Sequence, residues 1–156
     1  MNRKRTALLA AALIALLALP ALALEAPTTG ATGVIAALVN KPGILVQVLK
    51  LTKAQTDTLK GLIQTLQTTV KAQRTANDAL DKQIQTALTS LAPDNCAIGK
   101  LVITRHQNEL AIVAAFTKFD KDFSAILTPD QLARYQKLKN AFGHLGDKEA
   151  QEENAG

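Results

Sequence analysis

The chain has 156 residues, of which 47% are hydrophobic, 20% charged and only 3% aromatic, with 18 Lys and Arg against 13 Asp and Glu. One domain at most fits that length, and a core so poor in aromatics must be built from Leu, Ile, Val and Ala, which suits packed helices better than a sheet. Two His, one Cys and one Met are too few for a protein-only zinc, copper or iron site of ordinary ligand count unless carboxylates or a second subunit help, and no cofactor is expected.

The first five residues, Met1 to Arg5, form a basic n-region, followed by an Ala/Leu run from Thr6 to Leu19, then Pro20 and the small-x-small triplet Ala21-Leu22-Ala23. This pattern predicts a secretory signal peptide over residues 1–23, cleaved after Ala23. An uncleaved anchor fits less well, because the apolar run is short and a cleavage triplet follows it. No cysteine stands near the cleavage site to carry a bacterial lipid. The leader holds Arg3, Lys4 and Arg5 and no acid, so 15 basic side chains remain against 13 acidic ones. Residues 147–156 carry four acids and one Lys and read as an acidic, disordered tail behind a mildly basic body. Nucleic-acid binding asks for a denser Lys/Arg stripe and stacking aromatics, and export argues against it too; no nucleic-acid partner is expected.

Residues 24–33, rich in Pro, Thr and Gly, read as a disordered lead-in to a helical domain over 34–146. Two short apolar runs, Val34 to Val39 and Ile44 to Leu51, are broken by Asn40-Lys41-Pro42-Gly43, a turn signal that argues for short helices or one broken helix and against a membrane span. From Thr52 to about Leu91 there is no Pro and a single Gly, and Leu59, Ile63, Leu66, Val70, Gln73, Asn77, Leu80, Ile84, Ala87 and Leu91 alternate at spacings of four and three. That is a heptad seam on a helix of roughly 58 Å, too long to be buried in a chain of this size without an equally long partner.

The partner follows Ala92-Pro93-Asp94-Asn95, where Pro stops one helix and Asp94 or Asn95 can cap the next. Ile98, Leu101, Val102, Leu110, Ile112, Val113, Phe116, Phe119, Phe123 and Ile126 recur there with helical spacing, which predicts a long αα-hairpin with its tip near residue 93. In that register Phe116 faces Val70 and Phe123 faces Ile63. Asn77 then faces Glu109, with Gln73, Arg105 and His106 at the same height, a polar layer that either fixes the register or marks an open, solvated stretch. Asp78 and Lys82 are spaced for a routine ion pair. A last helix, Pro129 to Phe142, carries Leu132, Tyr135, Leu138 and Phe142 on one face, with Gly143 placed to end it.

Leu51-Thr52-Lys53-Ala54-Gln55 and Leu127-Thr128-Pro129-Asp130-Gln131 share the pattern LTxxQ, and each stands where a helix should begin. Thr is the N-cap, and Gln three residues on reaches back to the cap amide, completing a capping box. In the second copy Leu127 and Leu132 are placed as a hydrophobic staple, Pro129 sits at N1 and Asp130 faces the positive helix end; the first copy has Thr56 at the staple position. A paired LTxxQ motif flanking a long helical hairpin behind a signal peptide resembles the Spy/CpxP family of periplasmic proteins, over about Leu51 to Phe142. The resemblance implies an all-α protein, a long antiparallel hairpin with short flanking helices, thin and dimeric through its hairpins. It also implies periplasmic location and one of three roles: an ATP-independent chaperone of unfolded or misfolded envelope proteins, a regulator of a sensor kinase through its periplasmic domain, or a metal-responsive protein.

A chaperone needs a surface mixing apolar contacts with mobile positive charge, for which Lys50, Lys53, Lys60, Lys71, Arg74, Lys82, Lys100 and Arg105 are the candidates; the competing reading is an ordinary solvated helix face. A metal sensor needs clustered His, Met or Cys; here His106 stands 38 residues from His144, and only Glu109, three residues on, is placed to join it as a weak ligand pair. Cys96, the lone cysteine, falls at the predicted tip as a candidate intermolecular thiol or, alternatively, a small apolar filler. No nucleophile elbow, Ser/His/Asp spacing, Gly-rich phosphate loop or paired carboxylates suggest an enzyme. A structural or membrane-surface role for the amphipathic helices is the rival of a different class.

Overall fold

A computed structural model describes residues 31–153, which form five helices and, among the described residues, no strand. The predicted leader and most of the lead-in lie outside the described residues. α1 (Ala31–Val39) takes in residues 31–33, which by composition read as part of a disordered lead-in. α2 (Pro42–Leu49) starts on a proline whose missing N–H is no loss at a first helical position, and it lies bent by 88° from α1. It stops at Lys50, which adopts a left-handed conformation (φ 52°, ψ 51°), so the break falls one residue before the expected end at Leu51.

α3 (Lys53–Leu88) and α4 (Asn95–Ala125) are the two long helices, and they pack together. Asp94 caps α4, its Oδ1 accepting from the amides of Cys96 (2.9 Å) and Ala97 (3.1 Å). Side-chain contacts join the late part of α3 to the early part of α4: Asp81 to Arg105 at 2.7 Å and Asn77 to Asn108 at 2.9 Å. Asn77 thus meets Asn108, one residue from the expected Glu109. Many threonines of α3 keep their hydroxyls at home, Thr58, Thr65, Thr69 and Thr86 each donating to the carbonyl four residues back. Leu91, expected as the last seam residue, lies beyond the helix end and is fully exposed. The Ser90–Ala92 bends lead directly into Pro93, and no facing residue is left for Leu91 to bury against.

The core sits at one end of this pair. Leu59, Ile63, Leu66 and Val70 of α3 are buried with Ile112, Phe116, Phe119 and Phe123 of α4. α1 and α2 add Ile35, Ala36, Leu38, Val39, Leu45 and Leu49. Toward the tip the same α3 seam continues through Leu80, Ile84 and Ala87, but only half-buried, because two helices without a third layer leave every seam residue one open side. On α4, Val102, Leu110 and Val113 are exposed and do not join the seam.

α5 (Pro129–Glu153) closes the core with Tyr135, whose ring meets Phe123 edge-on at 5.1 Å. Gly143 does not end this helix, which runs on through residues 147–153 of the supposed disordered tail. An interior Gly costs a helix only about 1 kcal/mol relative to Ala, and most of the residues after it, Lys148, Glu149, Ala150, Gln151 and Glu152 among them, are good helix formers. Tyr135 is fully buried, its hydroxyl donating to Asp120 at 2.7 Å, and Lys139 pairs with the same carboxylate at 2.9 Å while lying 4.8 Å over the Tyr135 ring. Burial, reinforced by the hydrogen bond to Asp120, raises the Tyr135 hydroxyl well above its ordinary value near 10. A neutral acid held above its unfolded pKa stabilises the fold below that value and loses the contribution as pH rises past it. Stability is therefore expected to fall steeply above about pH 10, and Tyr135→Phe should flatten that fall while costing about 1 to 3 kcal/mol at neutral pH, read by chemical denaturation across pH 7 to 11.

Candidate functional site

Both LTxxQ segments form the capping boxes that their residues predict. Gln55 N–H donates to Thr52 Oγ1 at 3.2 Å and Thr52 N–H to Gln55 Oε1 at 3.0 Å; in the second copy Thr128 N–H donates to Gln131 Oε1 at 3.0 Å and Gln131 N–H to Thr128 Oγ1 at 3.4 Å. Leu51, Leu127 and Leu132 lie half-buried against the core. The two copies also meet. Gln55 Nε2 donates to Gln131 Oε1 at 2.8 Å and Gln131 Nε2 to Gln55 Oε1 at 3.1 Å, so each carboxamide gives and takes a hydrogen bond. Gln55 further donates to the Ile126 carbonyl (2.8 Å) and Gln131 to the carbonyls of Leu49 (3.2 Å) and Lys50 (3.4 Å). Gln131 is 9% exposed, and its ties join the end of α2, the start of α3 and the start of α5. Local capping chemistry predicts each half of this junction, but nothing in either five-residue stretch announces that they bond to each other.

Among the eight basic candidates, Lys53, Lys60, Lys71 and Lys82 follow one another along α3 at intervals of 7, 11 and 11 residues, which places them on one side of the helix, roughly a quarter turn from the buried seam. Lys53 bonds Asp57 at 2.8 Å, a pairing that holds its ammonium above and the Asp57 carboxyl below their usual ranges, both through that hydrogen bond; Lys60 approaches the same carboxylate at 3.8 Å. Lys50, Lys71, Lys82 and Lys100 are exposed and Arg74 is half-buried. The expected Asp78–Lys82 ion pair is not among those of the described residues, and Lys82 instead borders an open, shallow depression with Gln83, Thr86 and Ala87. Arg105 is committed elsewhere: Nε lies 2.7 Å from Asp81, a contact of charges without an aligned hydrogen bond, and Nη1 lies 2.8 Å from Glu109.

A polar cluster forms from Asn77, Asp81, Arg105, Asn108 and Glu109, with His106 at its rim 3.6 Å from Glu109; it takes in Asp81 and Asn108, which the expected layer lacked, and Gln73 of that layer makes no side-chain hydrogen bond to it. His106 and Glu109 are brought together, but among the described residues no group of three His, Cys, Asp or Glu is placed to hold a metal ion. Cys96 is a free thiol, exposed on the first turn of α4, so it is not the apolar filler of the tip. The sequence reading missed a second stripe on α4. Gly99, Ile103, His106, Leu110 and Val113 repeat at spacings of four and three, a seam of their own beside the one facing α3, and Ile103 (60%), Leu110 (54%) and Val113 (40%) are exposed. The spacing is there to be read, but the running list of apolar residues set Leu110 and Val113 with the seam and left out Ile103.

Comparison of the chain with family models, with curated proteins and with solved structures returns no match.

Proposed function

We propose that the chain is an exported, ATP-independent holdase of the Spy/CpxP type, which captures unfolded or misfolded envelope proteins on one face of an antiparallel helical hairpin and works as a homodimer. The observation that carries this reading is the pairing, on the long arm, of an uncovered apolar seam with a row of lysines. In an antiparallel pair of right-handed helices, a stripe displaced the same way around each helix from the common seam falls on the same side of the pair. The α3 stripe of Lys53, Lys60, Lys71 and Lys82 and the α4 stripe of Ile103, Leu110 and Val113 are displaced in that same sense and so fall on one face, with Lys71 and Lys82 at the height of the apolar stripe and Lys53 and Lys60, near Asp57, closer to the base. Such a face attracts chains by charge and holds them by modest apolar contact, while a thin hairpin encloses no volume in which a substrate would be sequestered from water. The meeting of the two LTxxQ segments at the base supports the family reading, since it gives the pair of motifs a joint structural role.

The test is light scattering of a chemically unfolded client diluted without ATP into buffer containing the chain from Leu24, at low and high salt. Suppression of aggregation is expected at equimolar chain and is expected to weaken at high salt, as the Debye length shrinks from about 10 Å at 0.1 M toward about 3 Å at 1 M. Aggregation unaffected by a several-fold excess of chain would overturn the holdase reading.

A further inference from the structure

We propose that His106 is a pH switch set in the apolar stripe of α4: neutral, it continues the surface that holds clients, and protonated, it divides that surface and weakens capture. This regulation rests on the holdase reading of the arm. His106 stands at the middle of the run Gly99, Ile103, His106, Leu110, Val113, with Ile103 three residues before it and Leu110 four after it on the same side of the helix. Its side chain is 66% exposed between neighbours that are 60% and 54% exposed, so a client resting on Ile103 and Leu110 also covers the imidazole. None of the other members of the stripe titrates.

Imidazole is the side chain that ordinarily changes charge between about pH 5 and 8, and covering it in the neutral form costs far less than covering the cation. The charged groups around it set the direction of the effect. On α4, Glu109 Oε2 lies 3.6 Å from His106 Nδ1, while Oε1 of the same carboxylate is held at 2.8 Å by Arg105. From α3, Asp81 reaches this height and meets Arg105 at 2.7 Å, and Arg74, Asp78 and Lys82 are the other charged residues of that stretch. A proton on His106 therefore adds a cation beside a carboxylate that already has a partner. Long-range attraction for clients, supplied by the lysine row on α3, changes little by one such charge, since exposed charges are screened within about 10 Å at 0.1 M salt. The local cost of covering the stripe rises, because a client must strip water from an imidazolium whose carboxylate is shared with Arg105. Capture is thus strongest above the imidazole titration range and declines as pH falls through it.

The chain from Leu24 is compared with its His106→Gln and His106→Lys forms at about pH 7.5 and about pH 5.5 and one ionic strength; the ring is exposed, so neither exchange leaves a cavity. Two readouts are taken: scattering by an unfolded client, and the fluorescence of Nile red, an uncharged dye that reports the apolar stripe with no client present. The unaltered chain should need about threefold more protein for half-suppression at the lower pH, with dye fluorescence falling in parallel. His106→Gln should erase both differences, and His106→Lys should show the low-pH behaviour at both values. A difference that survives His106→Gln, or none in the unaltered chain, overturns the switch. Should no client be held at either pH, the holdase reading falls by itself and the dye decides: fluorescence that drops on acidification in the unaltered chain but not in His106→Gln supports the switch, and equal fluorescence overturns it.

Discussion

Replacing Gln131 by Ala is expected to cost about 3 kcal/mol, the largest loss expected for a polar side chain among the described residues. The side chain is nearly buried and does four things at once: it closes the α5 capping box, accepts from Gln55, donates back to Gln55, and satisfies carbonyls at the end of α2. Losing a cap costs about 1 kcal/mol, and leaving buried partners unpaired adds about 1 to 3 kcal/mol more. Gln55→Ala removes the same mutual pair but is placed at a more exposed cap, so about 1 to 2 kcal/mol is expected there. The double variant should lose less than the sum of the two, with a coupling of about 1 kcal/mol or more in urea denaturation. Strict additivity would mean that the two glutamines act as independent caps and that their mutual bonding contributes nothing.

Phe123→Ala is expected to cost about 3 to 5 kcal/mol, and Ile103→Ala under about 1 kcal/mol. Phe123 is fully buried, stacks on Phe119 at 5.9 Å and meets Tyr135 edge-on at 5.1 Å, at the place where α3, α4, α5 and the two short helices share one core. Ile103 is equally apolar but exposed on the arm, so its removal leaves no cavity. A domain of ordinary stability has about 5 to 15 kcal/mol to lose, so Phe123→Ala should sharply lower the denaturation midpoint while Ile103→Ala leaves it nearly in place. Should Ile103→Ala destabilise as much as Phe123→Ala in a concentration-dependent way, the arm face would be buried in an assembly of copies under the conditions of measurement.

The starts of α3, α4 and α5 were legible because capping is local: Thr52, the Asp94-Asn95 pair and Thr128-Pro129 mark them within a handful of residues. Those of α1 and α2 were not, since α1 begins three residues before Val34 and Pro42, which reads as part of the turn, is the first residue of α2. That α3 and α4 pack together was legible, because each carries apolar residues at helical spacing over a length that needs a long partner; Asn77, expected opposite Glu109, bonds Asn108. The end of α5 was not legible: Gly143 looked like a stop, yet a glycine caps a helix by itself taking the left-handed conformation, and here the helix runs through it into residues most of which favour continuing.

By itself the sequence determined an all-helical chain, the two long helices and the residues that cap them, because periodicity and capping are properties of neighbours within about one or two turns. Only the tertiary structure decided that Gln55 and Gln131, 76 residues apart, bond to each other, that Tyr135 and Lys139 share the Asp120 carboxylate, and which of the two apolar stripes on α4 is buried. A side chain's donors and acceptors say how many partners it needs but not which ones. An apolar stripe says that burial is favourable but not against what, and that choice is made when the third and later helices arrive to cover one stripe and leave the other in water.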